Sequence, residues 1–72
     1  MTMKENSMER FLGKYCKIVT QEPGDEQSHA VIGFVRDIDS DAGFLVIEAD
    51  HGLSCLNIAT IIAIRPKIKF AF

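Results

Sequence analysis

The sequence predicts a mostly β domain in which a short N-terminal helix precedes a five-stranded, strongly bent antiparallel barrel. Two observations lead to this fold class. Five short runs of strand-like composition are separated by turns rich in Gly, Pro, Asp and Ser. The longest run has Gly33 in its middle, and a glycine there marks a bend or a close backbone approach. A chain of 72 residues forms one domain, which we place over residues 1–72.

The first predicted element is a short amphipathic helix over residues 7–12. Residues 1–5 carry no pattern, and we expect them to be disordered. Met8, Phe11 and Leu12 share one helical face, and a glycine follows as a stop signal. Because so short a helix is not stable alone, we expect its apolar face to pack on the open end of the barrel.

The strands and their turns make up the predicted barrel, residues 14–65. In the first strand, alternation places Cys16 and Ile18 on one face. The third strand is apolar on both faces, which predicts that both are buried, the second under the helix or under another subunit. The predicted strands span residues 14–20, 29–39, 44–49, 53–58 and 61–65.

The C-terminal segment, residues 67–72, alternates Lys with apolar residues. Ile68, Phe70 and Phe72 fall on one face at a period of two, which predicts an added strand or an extended arm. Together with the apolar third strand, this segment favours self-association as a homo-oligomer.

The composition argues against several functional classes. The net charge of −2 does not indicate nucleic-acid binding by the whole molecule, although a ring of copies would concentrate basic residues. The two cysteines form no CxxC, so we expect small buried thiols, no metal and no cofactor. No side-chain constellation indicates catalysis, so we expect no enzyme. The first residues lack a secretory pattern and no run could span a bilayer, so we expect a cytoplasmic protein without membrane contact.

The order of elements and several residues together resemble the Sm-like family, which includes bacterial Hfq. The pair Gly13-Lys14 after the helix is similar to the family's opening. Gly33 and Asp39, with apolar residues between them, are similar to its first motif, in which a bent strand leads to a turn aspartate. Residues 56–64 are similar to its second motif, where strand four passes through a very short turn into strand five. The resemblance covers nearly the whole chain.

The resemblance implies a ring of six or seven subunits, joined by pairing of strand four with strand five of the neighbour. It also implies RNA bound on the ring, with bases held between side chains of two loops. By motif position the RNA-binding residues are Asp39, Asp41, Gly43 and Asn57.

These positions depart from the usual uridine pocket, so the chain resembles a divergent member of the family. Asp41 stands where the family has a stacking residue, and aspartate has no planar ring. Gly43 offers no side chain to a base, and only Asn57 keeps one. We expect Asp39 to bond backbone N–H groups of its own turn.

The leading hypothesis is therefore an oligomeric protein of RNA metabolism that binds RNA mostly through phosphate. The alternative is an oligomerisation or protein-interaction module on the same barrel, without nucleic-acid binding. A dimer formed through the C-terminal segment is the alternative to the ring. The candidate phosphate contacts are Arg36, Arg65, Lys67 and Lys69, and Lys14 and Lys17 are further basic residues able to meet phosphate.

Overall fold

The computed structural model describes residues 8–68, which form one sheet of five antiparallel strands. The strand order is β4-β3-β2-β1-β5, so β4 and β5 lie at the two edges. The predicted second and third strands are confirmed residue for residue, and the other three are confirmed with ends that differ by one residue. The elements are β1 Tyr15–Thr20, β2 His29–Asp39, β3 Phe44–Ala49, β4 Gly52–Asn57, a 3-10 turn Ile58–Thr60 and β5 Ile61–Pro66.

The predicted N-terminal helix is not shown. Residues 8 and 9 are helical, and turns closed by bonds between residues three apart continue the chain to Lys14. Met8 and Phe11 pack against the core as expected, whereas Leu12 is 50 % exposed. A single helical turn bears the full entropic cost of nucleation, and it lacks the further hydrogen bonds that stabilise a longer helix. The predicted disordered start and position 7 of the helix lie outside the described residues.

The core occupies one face of the sheet, which we call the inner face. Five side chains from β1, β2 and β3 are completely buried there, and partly buried residues from β2, β4, β5 and the adjoining turns surround them. Cys16 and Ile18 belong to the buried set, as predicted. The sheet is open, because β4 and β5 do not pair with each other, so the predicted closed barrel is not shown. The fully buried residues are Cys16, Ile18, Val35, Leu45 and Ile47.

The predicted special role of Gly33 is confirmed as a close backbone approach. A Cβ atom placed on Gly33 would overlap the carbonyl oxygen of Glu48 and lie 2.8 Å from its carbonyl carbon. The end of β3 therefore runs over the inner side of β2 at this point. Only a residue without a side chain allows the sheet to bend so tightly.

Two strands each contain one extra residue that disturbs the pairing register. In β2, Val35 pairs with Ile47 and Asp37 pairs with Val46, so Arg36 has no partner in the ladder. In β5, the register shifts in the same way at Ile62. Such bulges bend a strand and increase its twist. Neither bulge is among the features predicted from the sequence.

One prediction about burial is wrong, and another keeps only one of its two alternatives. Within a single chain Phe44 is 47 % exposed, so the helical turn does not cover the second face of β3 there, and cover by another subunit stays a prediction. Cys55 is exposed on β4, although a small buried thiol is expected there. Both residues lie on the opposite side of the sheet from the core, which we call the outer face, and no described segment covers them.

Candidate nucleic-acid interface

The turn between β2 and β3 is held by Asp39. Its carboxylate Oδ1 accepts a hydrogen bond from the backbone N–H of Ala42 at 3.0 Å. Its carbonyl accepts another from the N–H of Gly43 at 2.8 Å. Gly43 has a φ of 83°, a left-handed conformation that favours glycine. The expected structural role of Asp39 is thus confirmed.

The turn between β4 and β5 is held by Asn57. Its side-chain oxygen accepts from the backbone N–H of Ala59 at 2.9 Å, as an N-cap of the 3-10 turn. Its carbonyl accepts from the hydroxyl of Thr60 at 2.7 Å. The amide oxygen of Asn57 is therefore committed to the turn, which removes one of the groups with which this side chain could read a base.

The structure brings these two turns together. The N–H of Ile58 donates to the carbonyl of Gly43 at 2.9 Å, which joins one turn to the other. In the ladder, Phe44 pairs with Asp39 on one side and with Asn57 on the other. Sequence reasoning missed Phe44, because an unbroken apolar run gives no sign of which face will be left exposed.

The electrostatics of this pair of turns do not favour phosphate. Asp39 and Asp41 are both exposed carboxylates. A phosphate 4 Å from one of these carboxylates would be repelled by about 1 kcal/mol in water and by more near a protein surface. Of the four predicted RNA-binding positions, three come together in space, and the fourth, Asp41, adds negative charge to the same turn.

Arg36 is engaged within the protein. Its Nε donates to Glu48 Oε1 at 2.6 Å, and its Cζ lies 5.1 Å from the centre of the Phe34 ring. Both members of the ion pair are about half exposed, so the pair is worth little to stability. Arg36 is therefore a weaker phosphate candidate than predicted from the sequence.

Three other basic residues converge on the outer face and form what we call the cation cluster: Lys17, Arg65 and Lys67. Lys17 on β1 lies directly opposite Arg65 on β5. The N–H of Lys67 donates to the carbonyl of Tyr15 at 2.8 Å, which extends the same ladder. All three side chains are exposed, and within residues 8–68 none of them has an ion-pair partner. Lys69 lies outside the described residues.

Like charges directly opposite each other destabilise a sheet, so Lys17 and Arg65 repel each other across the ladder. An anion lying across β1 and β5 would reduce this repulsion. The cation cluster, rather than the turns at Asp39 and Asn57, is the part of the described chain best suited to phosphate.

No group of three or more metal-ligating side chains occurs within residues 8–68. His29 lies 3.6 Å from the carboxylate of Asp25 in an exposed loop. None of the helical segments within these residues has the length and apolar character needed to cross a bilayer.

Comparison of the chain with protein-family models, curated proteins and solved structures finds no significant match.

Proposed function

We propose that this chain is a subunit of a homo-oligomeric, Sm-like protein that binds RNA through its phosphate backbone. The observation that carries the proposal is the cation cluster, in which Lys17 and Arg65 oppose each other with no acidic partner among the described residues. Phosphate is the repeating anion of RNA, and contacts to it need no particular base. A cytoplasmic role in RNA metabolism completes the proposal.

Self-association is supported by the edges of the sheet. Natural edge strands are usually protected by charges, by proline or by bulges that twist them away. β4 contains no charged residue and no proline, and its Leu53 is 69 % exposed. β5 carries all three protections, a bulge at Ile62, a charge at Arg65 and a proline at Pro66, although Ile62 itself is 59 % exposed. The support for an open edge therefore comes mainly from β4. We infer that β4 of one subunit pairs with β5 of the next, which repeats around a closed ring.

The Sm-like barrel with its opening helix is the finer part of the proposal. Its support is the bend at Gly33, the core enclosed by the inner face of the sheet, and the packing of Met8 and Phe11 on that core. The bent sheet and the two residues Met8 and Phe11 together enclose the five completely buried side chains. Pairing of the two edges with neighbouring subunits would complete the hydrogen bonding that the open sheet leaves unmet.

The test of RNA binding is a salt series. Three cations that each neutralise one phosphate of a single strand give a slope of about −2 in log affinity against log salt. Affinity should then fall about twentyfold between 50 and 200 mM salt for each subunit engaged. Fluorescence anisotropy of a labelled single-stranded oligonucleotide measures this directly.

Charge variants show whether the cluster is responsible. The double variant Lys17→Gln, Arg65→Gln should reduce the slope by about 1.4, because two phosphate contacts are lost. Arg10→Gln, which removes a charge from the turn before β1, is the matched control and should leave the slope unchanged. Absence of binding at low salt would refute RNA binding.

The second candidate function is a protein-interaction module on the same sheet. The observation in its favour is the pair of exposed carboxylates at Asp39 and Asp41, in the turn where RNA-binding Sm-like proteins hold a base. An oligomer of the proposed kind that binds no RNA at low salt would support this candidate. A dimer that dissociates when residues 67–72 are removed would instead support association through the C-terminal segment.

A further inference from the structure

We propose that residues 69–72 dock on the N-terminal turn of the same chain, residues 8–12, and that Phe70 covers Leu12. The described residues end at Ile68, so the proposed occupant is the segment that follows directly. This contact joins the two ends of the chain, and it does not depend on RNA binding or on the ring.

The docking surface is the open side of the N-terminal turn. Met8 and Phe11 pack against the core but are only half-buried, and Leu12 is 50 % exposed. Their spacing places these three apolar residues on one side of the turn. Single exposed apolar residues are common on protein surfaces, whereas adjacent ones mark a surface that another segment or molecule covers.

The C-terminal segment is still paired with β1 as it leaves β5. The N–H of Lys67 donates to the carbonyl of Tyr15 at 2.8 Å. On the outer side of this ladder, the ring of Tyr15 contacts that of Phe34, with the ring centres 5.0 Å apart. Ile68, the next residue of the segment, is 76 % exposed. The described chain therefore ends in an apolar residue that no described segment covers.

The register of β1 with β5 leads this segment to the turn. Cys16 pairs with Pro66, so each later residue of the segment lies level with one residue earlier in the chain. Continued pairing places residue 70 level with Leu12. Four extended residues span about 13 Å. A helical turn over residues 8–12 is only about 6 Å long, so the segment is long enough to cross all of it.

Alternation places the apolar residues of the segment on the side of the core. Ile64 on β5 packs against the core, and residues 68, 70 and 72 follow it at even steps. In an extended chain such residues share one face, so Phe70 and Phe72 project toward the side on which Met8 and Phe11 lie. The lysines at odd positions project to the outer side.

The same chain is a better occupant than a second copy. The segment starts beside the turn, because Phe70 follows the last described residue by two positions. A tether this short gives an effective concentration of about 1 mM or more. A second copy competes only at its much lower bulk concentration. The C-terminal segment is then occupied within its own subunit.

Coupling between Leu12 and Phe70 is the first test, measured by urea unfolding at one protein concentration. Leu12→Ala and Phe70→Ala should each lower the unfolding midpoint by about 1 M, because each removes one half of the same apolar contact. The double variant should lose little more than either single variant. Ile32→Ala is the matched control, since Ile32 is 37 % exposed on β2, and its loss should add in full to that of Phe70→Ala. Additive losses of Leu12→Ala and Phe70→Ala would overturn the inference.

Disulfide formation then shows whether both residues belong to the same chain. Leu12→Cys and Phe70→Cys are combined with Cys55→Ser, since Cys55 is exposed whereas Cys16 is buried. A mild two-electron oxidant should join the two introduced thiols, which requires Cα atoms within about 7 Å of each other. A denaturing gel without reductant should show a monomer that migrates faster than the reduced chain. With Ile32→Cys in place of Leu12→Cys, no such band should form. A covalent dimer would assign the segment to a second copy, and thiols that remain free would leave Leu12 uncovered, so either result overturns the inference.

Discussion

Gly33→Ala should destabilise the fold through a purely steric conflict. The new Cβ atom would overlap the carbonyl oxygen of Glu48 and lie 3.0 Å from the Cα of Ala49. These are backbone atoms of β3, which cannot rotate out of the way as a side chain can. Gly33 is not among the glycines with positive φ, so the alanine carries no conformational penalty of its own. The whole cost therefore comes from moving β3 away from β2.

The size of this effect follows from the size of the domain. Forcing an extra carbon into a packed site costs about 1–3 kcal/mol and sometimes more. A domain of 72 residues has a free energy of unfolding of about 4–11 kcal/mol. Because the clash is with backbone, we expect the upper end of the range, about 3 kcal/mol. With an m-value of about 1 kcal/mol per molar urea, the unfolding midpoint should fall by about 3 M.

Urea unfolding followed by circular dichroism measures this shift, at one protein concentration for all variants. Gly24→Ala is the matched control, since a Cβ there meets nothing within 4 Å but the residue has a φ of 83°. It should cost about 1 kcal/mol, the usual penalty of a left-handed alanine. If Gly33→Ala loses no more than Gly24→Ala, β3 does not run over β2 at this point and the reasoning is wrong.

Three other substitutions or modifications have defined outcomes. Leu53→Lys puts a charge on the uncharged edge strand β4 and should convert the proposed oligomer into monomers. Light scattering should then give a mass of 8.0 kDa. An unchanged mass would contradict pairing at that edge. Asp39→Ala should lower the free energy of unfolding by about 1 kcal/mol, because the N–H of Ala42 loses its acceptor. Asp39→Asn keeps an acceptor oxygen and should lower the free energy of unfolding less. Burial raises the pKa of the Cys16 thiol, so a thiol reagent at neutral pH should modify Cys55 quickly and Cys16 only on unfolding. Fast reaction of both thiols in the folded protein would count against that burial.

The strands were predictable because their signals are local. β2 and β3 are bounded by turn residues and carry enough apolar residues to be recognised without knowing their partners. Gly33 was recognisable for the same reason, since a glycine inside a strand usually marks a bend, a bulge or a close backbone approach. The helix was overpredicted, because the spacing of Met8, Phe11 and Leu12 fits one turn as well as two.

The bulge at Arg36 was not predictable from β2 alone. It is defined by the partner strand, where Ile47 and Val46 are consecutive while Val35 and Asp37 are not. The exposure of Phe44 had a similar cause, because an apolar run does not show which of its faces will be covered. In each case the missing information lies in another part of the chain.

The same distinction between local signals and long-range pairing applies to the candidate site. The proximity of Asp39, Gly43 and Asn57 was expected from motif order. The sequence indicates only part of the cation cluster. Arg65 and Lys67 are close in sequence, whereas Lys17 joins them through the register of β1 with β5. The contact of Tyr15 with Phe34 likewise depends on the register of β1 with β2.

The two bulges have a consequence for how the length of this chain can vary. Within a regular strand, removing one residue exchanges inside and outside for everything that follows. At Arg36 the result differs, because Val35 and Ile38 both face the core and one residue fewer between them restores simple alternation. The same holds at Ile62, between Ile61 and Ile64. Removing Arg36 or Asp37 from β2, or Ile62 or Ala63 from β5, leaves one residue between the two core positions. A deletion scan through β2 should therefore find its tolerant positions at Arg36 and Asp37.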